Sequence, residues 1–327
     1  MVSIDSESYH EKKMKDYLMN IFKECHMECI EMPIEGFEAG NIYAVLKGHT
    51  NKEPLMFSGH MDTVSPGKGK QAIIHEDGRI TSDETTVLGA DDVSALASYI
   101  EAIRTIKEND LPHGDIELAI SVAEEPYDVG SAYYDFSCIK SRIAYTFDLA
   151  GQIGLAALEA PSIISFKVNV KGKSAHAGFN PEDGIHALKI AASAMYRIPN
   201  GHVNDKTTVN FGTIQGGEGR NIVPREVVIT GEIRSFDHQD ALKWSKHIHT
   251  VFKEEANKEH ASIEYDDYVH IEAYKINEDE EVVERFKHAC HNLQLTPRLI
   301  STHGGSDNNR YVKEGIRGIV VACLLYT

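Results

Sequence analysis

The sequence predicts an α/β fold in which helices flank a mixed sheet and a second, α+β domain is inserted. Strand and helix signals alternate through the first half of the chain, which argues for an α/β sheet. A βαββαβ order occupies the middle, the split βαβ of ferredoxin-like domains. In the flanking segments, clusters of His, Asp and Glu fall at the ends of apolar elements.

Glu7 to Cys25 has the period of a helix, and Asn41 to Leu46 and Pro54 to Ser58 read as strands. Asp91 to Lys107 is the clearest helix. Val93, Leu96, Ala97, Ile100, Ile103 and Ile106 recur at helical spacing, and Asp91 and Asp92 stand where the helix dipole favours acids. Ile116, Leu118, Ile120 and Val122 then alternate as a strand running into Glu124-Glu125, and Ile143 to Phe147 forms a strand ending at Asp148. In the middle, strands are expected near Ile164–Val170, Thr207–Ile214, Val227–Ser235 and Ser262–Ile271, with helices at Asp183–Tyr196 and Asp240–Lys258. The economical division is an inserted domain over 161–273 within a discontinuous domain formed by 1–160 and 274–327. After the insertion, Glu280 to Asn292 looks helical, THGGSDNN reads as a loop and Ile319 to Leu325 as a buried strand.

Composition narrows the function. The chain has 327 residues, enough for about two domains, and it is 42% hydrophobic and 25% charged, as soluble globular proteins are. Its 33 Lys and Arg against 50 Asp and Glu give a formal charge of −17, a surface that repels nucleic acid and anionic lipid. No apolar stretch approaches the ~20 residues of a membrane span. Five scattered cysteines suit a reducing compartment, so the cytoplasm is expected. Neither GxGxxG nor GxxxxGK[ST] follows a strand, which leaves little for a nucleotide-binding protein.

Four clusters could carry chemistry: GHMD at 59–62, GADD at 89–92, AEE at 123–125 and FD at 147–148. The carboxyl ends of strands in an open α/β sheet converge on one crevice, so these clusters can meet in space. Each alone is ordinary: an Asp-Asp caps a helix, a Glu-Glu after a strand is solvated, and a lone His is structural. Together they place one imidazole among several carboxylates whose repulsion a cation would relieve. Such a donor set suits one or two divalent ions, zinc above all, with manganese or cobalt possible. In SGHMDTVSPG, the single residue between His60 and Asp62 lets both face the same way along an extended chain.

With GKSAHAGFNPEDGIHA at 172–187, GGEGRNIVP at 216–224 and HGGSDNN at 303–309, these motifs resemble the dinuclear zinc peptidases related to peptidase T, a group that includes aminoacylases and carnosinases. The likeness covers almost the whole chain, in the family's order. It implies a zinc-peptidase-like catalytic domain with an inserted lid and dimerisation domain, and hence a homodimer. It implies that His60 binds the first metal and that Asp62 holds its imidazole. Asp91 would bridge both metals, Asp148 would complete the first site, and Glu125 would bind the second. Glu124 would be the general base acting on a metal-bound hydroxide, and His176 would polarise the scissile carbonyl. Asn221, Arg234 and His303 match substrate positions, with Gly304, Gly305, Ser306 and Asp307 in the same loop as His303. The implied activity is hydrolysis of small peptides, tripeptidase- or aminopeptidase-like. The alternatives are an N-acyl-amino-acid amidohydrolase and a catalytically impaired metal- or peptide-binding homologue.

Two departures bear on that transfer. The family's segment after the bridging Asp carries a Lys and a Gly, where this chain has Asp92-Val93-Ser94-Ala95. Its last metal ligand is a His in a loop beyond the final strand, whereas this sequence stops at Leu324-Leu325-Tyr326-Thr327. A truncated chain or an incomplete second metal site is expected on that ground.

Overall fold

Asn41–Leu46 is buried at every position, which places that strand inside a sheet covered on both faces. In the computed structural model, which describes residues 1–324, it is an inner strand of the larger of two units. Contacts divide the chain into Met1–Ala160 together with Tyr274 onward, and Pro161–Ala273.

The first unit begins with α1 (Lys12–Glu24), which buries Met14, Leu18, Ile21 and Phe22 on one face. β1 (Glu28–Met32) pairs antiparallel with β2 (Asn41–Leu46), and β3 (Leu55–His60) follows. A small hairpin, β4 (Ile73–Ile74) and β5 (Ile80–Thr81), precedes α2 (Ala90–Glu108). Next come β6 (Ile116–Ser121), β7 (Ile143–Ala150) and β8 (Leu155–Ala160).

In the second unit the elements are β9 (Ser162–Lys171), α3 (Ala187–Arg197), β10 (Gly201–His202), β11 (Thr207–Gly216), β12 (Glu226–Ser235), α4 (His238–Lys258) and β13 (Ser262–Ile271). The first unit resumes with β14 (Tyr274–Lys275), α5 (Glu281–Asn292), β15 (Arg298–Ser301), α6 (Asp307–Lys313) and β16 (Arg317–Leu324).

The large sheet runs β1-β2-β6-β3-β7-β16-β8-β14, with β15 on β8. β3 lies parallel to both β6 and β7, and β16 lies parallel to β7. Alternate side chains of β2 divide between two cores. Ile42, Ala44 and Leu46 join α1 and α2, while Tyr43 and Val45 join the core that contains Tyr311 of α6. Each fully buried Leu or Phe in such a core contributes about 1.5–3 kcal/mol. The central strands β3, β6 and β7 run the same way, so their carboxyl ends open on one side of the sheet.

In the smaller unit the sheet order is β10-β11-β12-β9-β13, and every pairing is antiparallel. α3 and α4 cover one face, packing Ile190, Ala191, Ala194, Ile248 and Phe252 on Val168, Val170, Ile229 and Ile233. This is the ferredoxin-like α+β layout expected.

The structure corrects several boundaries. The first helix starts at Lys12 rather than Glu7, since Glu7 is bridged to Thr63. α2 includes Asp91 and Asp92 only formally, because Asp91 (φ −82°, ψ 107°) and Asp92 (φ −113°, ψ 25°) depart from helical geometry. Strand β7 continues past Asp148 to Ala150. THGGSDNN is not all loop: Ser306 caps α6, whose first residues are Asp307, Asn308 and Asn309. Strands β1, β8 and β15 are additions; the alanine-rich LAALEA of β8 lacks the β-branched residues that mark a strand. Leu325, and the terminal residues on which the expected gap in the ligand set rests, lie outside the described residues.

Candidate active site

β3 delivers His60 to the carboxyl edge of the sheet, opposite Ser121 of β6. Gly59 leaves room there, because a Cβ at that position would collide with Oδ2 of Asp92. The same Asp92 oxygen accepts a hydrogen bond from the His60 amide at 3.2 Å. The imidazole is 1% exposed. Its Nδ1 lies 3.0 Å from the Asp62 carbonyl oxygen and 3.3 Å from Asp62 Oδ1. Its Nε2 is thereby aimed at carboxylates: 2.9 Å from Asp91 Oδ1, 3.9 Å from Glu124 Oε2 and 4.0 Å from Asp148 Oδ1.

Asp62 does more than hold the imidazole. Its Oδ1 accepts from the Glu124 amide at 2.9 Å, and its Oδ2 accepts from the Glu125 amide at 3.2 Å and the Ser8 hydroxyl at 2.7 Å. One buried carboxylate therefore fixes both the histidine and the turn that carries the glutamates. That turn follows β6 directly. Ala123, Tyr127 and Asp128 all adopt positive φ, and the Asp128 amide donates to the Glu124 carbonyl at 2.6 Å.

Two sets of ligand atoms converge within 4.8 Å: His60 with Asp91 and Glu125, and His60 with Glu124 and Asp148. The same five residues stand at the centre of the expected site, in which Asp91 bridges two metals, Asp148 completes the first with His60 and Glu125 binds the second. Asp91 and Glu125 fall in one of the two sets, and Glu124, expected as the base, falls beside Asp148 in the other.

The electrostatics are those of crowded, buried acids. Burial, and then the charges of Asp128 and Asp148, push the Glu124 carboxyl well above its ordinary range. Burial and the Asp91 charge do the same to Asp148. Burial raises Glu125 to about 7. For His60, burial opposes the charged ring, but the carboxylates of Asp62 and Asp91 outweigh it and raise its pKa. A divalent cation fits this donor set, since one imidazole nitrogen and four carboxylates suit zinc or manganese and the positive charge offsets both repulsion and desolvation.

Behind the central residues lies a further layer of acids. Asp92, Asp128, Asp307 and Glu11 are all buried, and each has one oxygen without a hydrogen-bond partner among the described residues. Asp307 accepts from Ser121, and burial raises its pKa to about 6. Burial and the Asp307 charge raise Asp128 to about 8. The motif GADD could have pointed to Asp92, whose burial beneath Gly59 is its distinctive feature. Nothing in the local pattern marks Glu11 or Asp128.

The remaining predicted residues fall in both units. His303 is exposed, in the segment before α6 of the first unit, where Ser306 and Asp307 are buried rather than open to a substrate. In the second unit, His176 and Asn221 lie on adjoining segments: His176 bridges Ile222, and the Ala177 amide donates to the Asn221 carbonyl at 2.9 Å. The His176 ring stacks on Phe179 at a centroid distance of 4.2 Å. Arg234 on β12 is engaged by its neighbour, with Nε 2.8 Å from Glu232 Oε1.

Known proteins share this fold. The family profile for a peptidase dimerisation domain matches residues 158–260, and that for peptidase family M28 matches residues 41–158. A tripeptidase from Staphylococcus aureus superposes with a TM-score of 0.94 at 32% identity, over 98% of this chain and 87% of that one. Aminopeptidase PepT from Bacillus cereus gives a TM-score of 0.91 at 35% identity, with the same coverage. The chain belongs to the peptidase T-like family. Among curated sequences, the uncharacterized protein YqjE of Bacillus subtilis is 35% identical over 98% of this chain and 87% of its own length. Peptidase T of Listeria welshimeri is 26% identical over 96% of this chain and 87% of its own.

Proposed function

We propose that the chain is a metal-dependent peptidase that cleaves small peptides at an amide bond, tripeptidase- or aminopeptidase-like. The observation that carries this is the convergence of Asp91, Glu124, Glu125 and Asp148 on His60, with Asp62 tethering both halves of the cluster. His60, Asp91, Glu125 and Asp148 would hold zinc, or manganese or cobalt, as one or two ions. When bound, such an ion lowers the pKa of water toward ~7 and polarises a carbonyl.

The protein's own groups would supply the rest. Glu124 would accept a proton from the attacking water and return it to the departing amine. Its burial and raised pKa support that role, because a base working near neutrality must be less acidic than a free glutamate. Asp62 would keep Nε2 of His60 turned toward the carboxylates. His176 would donate to the developing oxyanion, and Asn221, Arg234 and His303 would contact the substrate.

The discontinuous unit is on this proposal the catalytic domain and Pro161–Ala273 the lid and dimerisation domain. The peptidase dimerisation profile over 158–260 supports a homodimer. No helix among the described residues is long and apolar enough to cross a membrane. The five free cysteines support a cytoplasmic setting.

The test is hydrolysis of a panel of di- and tripeptides and N-acyl amino acids by metal-loaded protein, with metal counted per chain. Cleavage of peptides is expected. Cleavage of acylated amino acids alone would reassign the substrate, and bound metal without hydrolysis of any of them would make the chain a binding protein.

A further inference from the structure

The loop between β3 and β4 buries a lysine that the catalytic assignment does not use. Lys70 is 2% exposed, and its Nζ has no hydrogen-bond partner among the described residues. Burial lowers its pKa, against the opposing charges of Asp5 and Glu7. A buried, unpaired ammonium works against folding, so the reason for a long side chain here lies in its stem.

The stem has a defined place. A Cβ built on Gly89 would stand 3.2 Å from both Cδ and Cε of Lys70, and 3.3 Å from Oγ1 of Thr63. Thr63 directly follows Asp62, and Gly89 leads through Ala90 into Asp91. Lys70 thus packs where the chain leaving one end of the cluster meets the chain entering the other.

Its own loop is anchored from outside. The amides of Gly69 and Gly67 donate to Asp5 Oδ1 and Glu7 Oε1, each at 2.7 Å, and the Thr63 amide donates to the Ser6 carbonyl at 2.9 Å. The Val87 amide closes the other side on the Pro66 carbonyl at 2.9 Å. With the loop pinned, Cδ and Cε of Lys70 stand against Gly89 on the side that Thr63 also adjoins.

We propose that Lys70 is a positioning residue of the metal centre: its buried aliphatic stem, packed against Gly89 beside Thr63, sets the spacing of Asp62 and Asp91. This rests on the metal-site assignment above. The charge of the side chain has no part in it, so a residue of similar length and no charge should serve equally well.

The experiment measures affinity for zinc, by competition with a chromophoric chelator, and thermal unfolding of the metal-free whole chain. Lys70→Met should bind zinc within about twofold of the parent, since it keeps most of the stem. Lys70→Ala should bind at least about tenfold more weakly, as lost outer support of a metal site does. Phe286→Ala, on the buried face of α5, should lower the Tm without changing zinc affinity, which separates positioning from general loss of stability. Gly89→Ala should weaken binding in the parent through both the strain of alanine at φ 71° and the contact of its methyl with the Lys70 stem, and should do so less in Lys70→Ala, where the strain persists and that contact is gone.

Weak binding by Lys70→Met equal to that of Lys70→Ala would overturn the proposal in favour of the charge. Parent-like affinity in Lys70→Ala would overturn it outright. Should Lys70→Ala not fold, parent-like affinity in Gly89→Ala would do so instead. A parent that binds no divalent ion would remove the metal-site assignment itself, and this proposal with it.

Discussion

The two units solve the problem of burial in opposite ways. In Pro161–Ala273 the buried core is aliphatic and aromatic, and its buried polar residues are Ser162, Thr207, Ser235, Ser245 and Glu255. Most of these are satisfied locally, as Thr207 is by Ser235 at 2.8 Å. In the other unit His60, Asp62, Asp92, Glu124, Asp128 and Asp307 are buried together, an arrangement that raises the pKa values of Asp92, Glu124, Asp128 and Asp307, leaves Asp62, despite its burial, lowered by its bonds to His60 and the Glu124 amide, and lowers the stability of the empty protein. The second unit has the core of a protein selected to fold, and the first carries a local conflict of charge that a bound cation would resolve.

That contrast can be broken most severely at Asp62. Asp62→Ala leaves the Glu124 and Glu125 amides, the Ser8 hydroxyl and His60 without their shared acceptor, so a loss of about 3–5 kcal/mol is expected, with loss of metal. Urea unfolding and metal analysis check it. If the two units truly differ, an equally buried apolar residue of the second unit should affect stability only. Ile229→Ala should cost about 2–5 kcal/mol in that unit, with metal content per folded chain unchanged.

A sharper cut is Glu124→Ala. It should keep bound metal while lowering kcat by about 10²–10⁴, and unchanged kcat in a steady-state assay would remove Glu124 as the base. Tyr127→Gly probes the turn itself. Tyr127 has φ 71° and is 39% exposed, so glycine should relieve about 1 kcal/mol of left-handed strain; a lower Tm would refute that.

The smallest effect belongs to an ordinary ion pair of the first unit, Glu280 with Arg317 at 2.7 Å. Arg317 holds the Glu280 carboxyl below its usual value. The stabilisation is therefore present above the unfolded value of about 4.3 and fades as pH falls through the lower folded value. Glu280→Gln should reduce stability at neutral pH by less than about 1 kcal/mol, and should flatten its acid dependence when unfolding is followed from neutral pH downward.

What could be read from the sequence follows the same division. Asn41–Leu46 and Ser262–Ile271 have the bounds their apolar patterns gave, and the βαββαβ order identified the smaller sheet, because period and turn chemistry are local. His60 and Asp62 were legible as a pair from their spacing in an extended chain. The double duty of Asp62 was not, since the Glu124 and Glu125 amides it binds are distant in sequence and meet it only once β3 and β6 are paired. THGGSDNN reads as a loop from its turn formers, and the family resemblance put Asp307 in a substrate-side loop. The burial of Asp307 depends on Ser121 at the end of β6, a tertiary contact with no local trace.

One feature of the topology has a kinetic meaning. β8 ends at Ala160, and β14 begins at Tyr274, its partner across the antiparallel ladder. The ends of the intervening segment are also tied to each other, since the Ala273 amide donates to the Ser162 hydroxyl at 2.8 Å. Unfolded, that segment is a long tether whose closure costs entropy with the logarithm of its length. Once folded, it hands its host two chain ends already side by side, so that β14 and everything after it can find β8 as though joined to it by a short hairpin.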